Sequence, residues 1–229
     1  MNSTIKTPNV KLGRPREFDM DAALDQAMQV FWRQGYEGAS MADLTTAMGI
    51  NSPSVYAAFG NKHGLFKAVL DHYDKTRAGF LREVLAAPTA KDAASRFLIG
   101  VAERATNPSH PPGSLLVQSG LTCGHAAAKI PEEVARHRAG AELALRERFE
   151  CSTAAKELPT GAEPPALARY LIAVANGMYV QASSGATRDE LYQVAHLALA
   201  AWPEPVTQRR SKKSASSCKP VRRKTIRKN

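Results

Sequence analysis

The spacing of apolar residues is helical from Asp19 onward. Ala23, Ala27, Val30 and Phe31 fall at i, i+4, i+7 and i+8, one face of a helix whose period is about 3.6 residues. Asp19 is placed to cap this helix, Asp21 puts negative charge in its first turn, and Gly35 is placed to end it. Ser40-Met41-Ala42-Asp43 has the S-x-x-D form of a cap, in which the serine oxygen accepts from the backbone three residues on. The helix it starts runs to Met48, because Gly49 suits the left-handed position that follows a helix. The turn Gly49-Ile50-Asn51 leads to Ser52-Pro53, read as a serine cap followed by proline at the first helical position, where its missing N–H costs nothing. That helix is short, with its body over Ser54 to Phe59. Gly60-Asn61 breaks the chain again, and Asn61 caps a longer helix that carries Leu65, Phe66, Val69, Leu70 and Tyr73 as one apolar stripe.

Beyond Pro88 the spacing stays helical over about 90–106, 114–127, 131–150, 164–184 and 187–201, with breaks rich in proline, glycine and serine between them. There is no alternating strand pattern of useful length and no internal repeat. The expected fold is all-α: an amino-terminal three-helix unit containing a helix-turn-helix, joined by a long connector helix to a larger helical body. The expected division is a flexible basic arm over 1–15, the helix-turn-helix unit over 16–76 with its motif at 39–58, the helical body over 77–202 and a disordered tail over 203–229.

Charge sharpens this division. The chain has 229 residues and a formal charge of +10. Its last segment, 203–229, holds ten lysines and arginines against the single acid Glu204, so the body is nearly neutral. The tail's composition suits a disordered, phosphate-attracting accessory rather than a folded surface. No apolar run reaches the roughly 18 residues of a membrane span, and the polar start Met1-Asn2-Ser3-Thr4 lacks the apolar segment of a secretory signal. A cytoplasmic protein without a membrane partner is expected. Cys123, Cys151 and Cys218 are widely separated and lack the paired spacing of zinc sites, so neither a disulfide framework nor a metal is expected. No G-x-S-x-G, P-loop or H-E-x-x-H motif occurs, and the expectation is a non-enzyme without a cofactor.

Short helix, glycine turn and second short helix over 39–62 form the arrangement of a helix-turn-helix, whose second helix enters the DNA major groove. At about 100° per residue, Val55 and Phe59 face the core. Pro53, Ser54 and Ala57 face outward with Tyr56 at their flank, a small and polar face that allows close approach to a groove. Between Asn51 and Asn61 there is no arginine or lysine, which removes the usual bidentate contact to guanine. Apolar contact with thymine methyls and reading of DNA shape are expected instead. In the arm, Arg14 and Arg16 flank Pro15 and are candidates for an A·T-rich minor groove.

Phe31, Gly35-Tyr36, Ala39-Ser40-Met41, Leu44, Gly49-Ile50, Ser54-Val55-Tyr56, Phe59, Lys62 and Leu65-Phe66 together resemble the amino-terminal domain of TetR/AcrR-type transcriptional regulators. The resemblance covers about 16–76 and implies a body of further helices holding a ligand pocket and a dimer interface. It implies that Ser40 meets a phosphate at the start of the second helix. Asn51, Ser52, Pro53 and Ser54 stand at the entry to the recognition helix, while Tyr56 and Lys62 match the family's tyrosine and lysine. Phe97, Gln118, Cys123, Met178 and Tyr179 are the candidate linings for a small, mainly apolar effector. Leu167, Leu171, Val174 and Met178 with Leu191, Val194, Leu197 and Ala198 are candidate stripes for a four-helix bundle with a twofold mate. The function expected is a homodimeric, ligand-responsive repressor binding double-stranded DNA at a palindromic operator. The alternatives are a low-specificity architectural DNA-binding protein that uses its basic tail, and a regulator that senses oxidants or electrophiles through a thiol such as Cys123.

Overall fold

A computed structural model describes residues 18–121 and 129–203 of the protein. Arg14, Arg16, Cys123, Cys218 and the tail beyond Pro203 lie outside the described residues, as do residues 122–127 of the helix expected over 114–127. Among the described residues there are nine helices and no strand: α1 (Met20–Gly38), α2 (Met41–Met48), α3 (Ser52–Phe59), α4 (Lys62–Leu85), α5 (Ala90–Ala105), α6 (Leu115–Leu121), α7 (Lys129–Ala154), α8 (Pro164–Ser183) and α9 (Arg188–Ala200). The all-α expectation holds. None of these helices is long and apolar enough to cross a membrane.

The sequence punctuation acts where it was read, with one exception. Asp19 accepts the N–H groups of Asp21 and Ala22 at 3.0 and 3.2 Å. Gly35 stops the regular part of α1 with φ 70° and ψ 176°, a conformation that disfavours a side chain, and one irregular turn carries the chain on to Gly38. Ser40 and Asp43 form a reciprocal capping box: the Asp43 N–H donates to Ser40 Oγ at 3.0 Å, and the Ser40 N–H donates to the Asp43 carboxylate at 3.1 Å. Asn61 accepts from the Gly64 N–H at 2.9 Å to start α4.

The exception is α3, whose cap is Asn51 rather than Ser52. Asn51 has extended backbone angles, and its Oδ1 accepts the Ser54 N–H at 2.9 Å. Ser52 therefore becomes the first helical residue and Pro53 the second. Asparagine and serine cap about equally well, so two adjacent candidates are not ranked by type alone, and the longer amide side chain here reaches the free N–H. Replacing Asn51 with alanine is expected to cost about 1 kcal/mol of stability. Ser52→Ala is expected to change it by less than about 0.5 kcal/mol, and urea unfolding of the two variants checks the order. The other difference of note is α7, which starts two residues before 131 and continues through Ala154.

Two cores result. At the amino-terminal end Phe31, Leu44, Val55, Leu65, Phe66 and Leu70 are buried together, with the Phe31 and Phe66 rings edge to face at 4.9 Å. In the body, Phe97, Leu98, Leu145, Phe149, Leu171, Met178 and Leu191 close around α5, and Phe149 packs on Trp202 at 5.3 Å. Arg148 staples the α4–α5 turn to the end of α7: it donates to the Ala87 carbonyl at 3.0 Å and pairs with Glu157 at 3.4 Å, while Glu157 accepts the Ala90 N–H. Helix α6 joins the two cores. Leu115 and Leu116 are buried with α1 residues of the first core, and Val117 is buried in the second.

Candidate functional site

Helices α2 and α3 stand out from the amino-terminal core on few anchors. Only Val55 of α3 is buried, with Phe59 packed partly against the core, as the helical wheel predicts. Ser52, Pro53, Tyr56 and Ala57 are exposed and Ser54 is half-buried, so one face of α3 is small, polar and open. Tyr56 keeps 47% of its surface exposed, a large ring held out to solvent beside that face.

Capping decides which donors this face has left. Pro53 has no N–H, the Ser54 N–H is held by Asn51 Oδ1, and the Val55 N–H donates to the Asn51 carbonyl at 3.2 Å. The Ser52 N–H and hydroxyl remain, together with the Asn51 amide –NH2. These donors sit where the helix dipole favours an anion. At the start of α2, the Ser40 hydroxyl accepts from the Asp43 N–H and donates to the Asp43 carboxylate at 2.7 Å. The two hydrogen bonds from Ser40 hold the Asp43 carboxyl below its usual range. Any phosphate that took the Ser40 proton would have to displace that carboxylate.

Lys62 is also engaged within the chain. Its Nζ donates to the Glu37 carbonyl at 3.3 Å and lies 4.7 Å from the Tyr36 ring centroid. Burial pulls its pKa down, and the Glu37 charge partly offsets this. The ammonium thus ties the start of α4 to the irregular turn after Gly35. Arg14 and Arg16 fall outside the described residues.

The body holds a second feature. A cavity of about 250 Å³ lies between α4, α5 and α7, walled by Asp74, Arg77, Phe80, Leu81, Phe97 and His137. It shares Arg77, Phe97 and Ala141 with a recess of about 30 Å³ that adds Ser114, Arg138, Asn176 and Tyr179. Of the candidate linings, Phe97 and Tyr179 are brought together here. Met178 instead faces an open groove of about 680 Å³ between α8 and α9. Gln118 donates to the Pro112 carbonyl at 3.3 Å and is in none of these linings, and Cys123 is outside the described residues. Sequence spacing does not single out Arg77, Ser114, Arg138 or Asn176. They come from four separate elements, and a polar residue bordering an apolar stripe carries no local mark of what it faces.

The recess is linked to α1. Ser114 Oγ is 3.2 Å from Tyr73 Oη, the Tyr73 ring meets Trp32 edge to face at 5.4 Å, and His110 stacks on Trp32 at 4.6 Å. Arg138 donates to the α6 carbonyls of Leu116, at 2.6 Å, and Val117, at 3.2 Å. On the outer side of the body, Tyr170, Val180, Val194 and Leu197 are exposed on α8 and α9.

Known proteins share this arrangement. The family model for bacterial regulatory proteins of the tetR family matches residues 23–69. Over 197 residues the chain is 36% identical to the HTH-type transcriptional repressor ComR of Escherichia coli (strain K12), a match covering 85% of this chain and 93% of ComR. The repressor BdcR of the same organism is 45% identical over 73 residues, 32% of this chain and 37% of BdcR. Among solved structures, a cysteine mutant of the TetR family transcriptional regulator CifR, complexed with 26-bp double-strand operator DNA, is 39% identical with a TM-score of 0.79, covering 83% of this chain and 100% of that one. The helix-turn-helix, its connector and the helical body, matched along nearly the full length of ComR and of the CifR structure, make the chain a DNA-binding member of the tetR family of bacterial regulatory proteins.

Proposed function

We propose that the protein is a cytoplasmic, homodimeric repressor that binds a palindromic operator and leaves it when a small molecule fills the body cavity. It acts by binding and not by turnover. The unit over 16–76 reads DNA, and 77–202 receives the effector and forms the dimer. The observation that carries this reading is the open face of α3, small and uncharged, with its unused donors gathered at the helix start. Ser52, Asn51 and Ser54 then meet phosphate, and Ser40, Tyr56 and Lys62 do so from the flanks. Pro53 and Ala57 lie toward base edges, and Arg14 and Arg16 reach the minor groove. Repression is supported by the relatives ComR and BdcR, both described as repressors.

The effector's message has a physical route in α4 and α6. Ser114 and Arg138 border the recess, Leu115 and Leu116 pack against α1, and Tyr73 joins α4 to both Trp32 and Ser114. A ligand that binds better when these contacts rearrange shifts the population toward a state in which the two α3 helices of the dimer no longer match grooves about 34 Å apart.

Selection and sequencing of genomic fragments bound by the purified protein gives the operator. Preference for that site over random duplex by at least about 10³-fold supports a regulator. Equal affinity for both would mean an architectural protein instead. On the selected site, Tyr56→Phe is expected to weaken binding about tenfold, the loss of one hydrogen bond to a charged group. The loss should be uniform across operator variants, because a phosphate contact carries no sequence information. Unfolding should be unchanged, since Tyr56 is exposed.

A further inference from the structure

Two guanidinium groups border the body cavity and its recess: Arg77 lines both, and Arg138 lines the recess. Arg138 directs its guanidinium to two backbone carbonyls, and no carboxylate lies at ion-pair distance from it among the described residues. Its burial pulls its pKa below the ordinary arginine value. Arg77 has Asp74 at 4.0 Å, but the other oxygen of Asp74 is 2.6 Å from His137 Nδ1, and Asp71 lies 3.8 Å from His137 Nε2. A third guanidinium, Arg104, lies 5.4 Å from the Phe80 ring centroid. The recess also offers neutral donors. Burial pushes the Tyr179 hydroxyl up to about 12, so it keeps its proton at neutral pH. Against this polar end stand the rings of Phe80 and Phe97, stacked with centroids 6.2 Å apart. At protein-like packing density the cavity holds a molecule of about ten to fifteen non-hydrogen atoms.

We infer that the effector is a small organic carboxylate with an aromatic or otherwise apolar body, its acid group held by Arg77 and Arg138 and its body against Phe80 and Phe97. The inference rests on the reading of this cavity as the effector site. Guanidinium groups pair with carboxylates in a planar, two-bond geometry that amides and alcohols do not match. The same two arginines hold the contacts that connect the cavity to the DNA-reading end. Arg77 lies 5.1 Å from the centroid of the Tyr73 ring, and Arg138 fastens the α6 carbonyls. A carboxylate that draws both toward itself competes with those contacts, which gives the ligand a preference between the two states.

The test is calorimetric titration of the full chain, without DNA, with benzoate, phenylacetate and octanoate, each matched by its neutral amide. At least one acid should bind ten-fold or more tighter than its amide. That preference should disappear in Arg77→Met and fall in Arg138→Lys, which keeps the charge but loses the fork. Thermal unfolding of each variant confirms that it is folded, and Arg77→Met provides the reading should Arg138→Lys prove unstable. Acids and amides binding alike, or no acid of the set binding at all, would overturn the inference. An acid that binds with the expected preference yet fails to release the selected operator would leave the carboxylate site standing and sink the effector reading.

Discussion

Gly64→Ala is expected to unsettle the whole DNA-reading end. Gly64 is in the first turn of α4 and lies outside the positive-φ region, so its backbone conformation suits alanine, which by helix propensity alone is favoured by about 1 kcal/mol. Space decides otherwise. A Cβ built there falls 2.0 Å from the Phe59 carbonyl oxygen and 3.2 Å from its carbon. That carbonyl accepts the Asn61 N–H at 2.9 Å, and Asn61 in turn caps α4 through the Gly64 N–H. The clash is with backbone that closes the α3–α4 turn, so no side-chain rotation relieves it. Overpacking of about 1–3 kcal/mol is expected, and α3 has little to resist displacement because Val55 is its one buried residue. A lower melting temperature and at least a ten-fold loss of operator affinity should appear together. Gly79→Ala is the control. Its Cβ would meet only the Arg82 guanidinium, at 3.9 Å, and it should be neutral or stabilising. Wild-type operator affinity in Gly64→Ala would show that the turn does not set the position of α3.

The contrast between these two glycines shows what the sequence could tell. Punctuation within a few residues was legible: Asp19, Ser40, Gly49 and Asn61 act as caps or stops because their chemistry works on backbone two to four residues away. Ser52 and Asn51 were not separable, since either type serves and only the realised geometry assigns the cap. The open face of α3 also followed from spacing, because one wheel position, Val55, fixes the rest. The cavity was only half legible. Phe97 and Tyr179 lie on apolar stripes, but Arg77 and Arg138 reach the recess from α4 and α7, and no period in one helix reports which neighbour its polar flank faces. The stripes of α8 and α9 mislead for a related reason. Leu171, Met178, Leu191 and Ala198 are buried within the single chain, while Val194 and Leu197 on α9 are exposed. A subunit core and a subunit interface call for the same residue types, and only the fold tells them apart.

That division gives the other large effect. Leu197 keeps 74% of its surface exposed in the single chain, and Val194, Tyr170 and Val180 are exposed on the same pair of helices. A cluster of exposed apolar side chains on adjoining helices marks an interaction surface, and a twofold mate presenting the same face would cover it. Leu197→Glu is therefore expected to leave the subunit folded, with helical content and melting of the monomer retained, because little of that side chain is packed in its own chain. In the proposed homodimer it would put an unpaired charge into the interface from each side of the twofold axis, a penalty of about 3–5 kcal/mol per buried charge. Sedimentation should then show a dimer for the wild type and a monomer for Leu197→Glu at the same concentration. Operator affinity should fall by at least about 100-fold, since one α3 without a cationic base contact is left to hold a single half-site. Leu143→Glu, also exposed but on α7, tests whether the effect belongs to this face: it should sediment and bind the operator as the wild type does. A Leu197→Glu protein that sediments as a dimer with unchanged operator affinity would place the subunit interface elsewhere on the body.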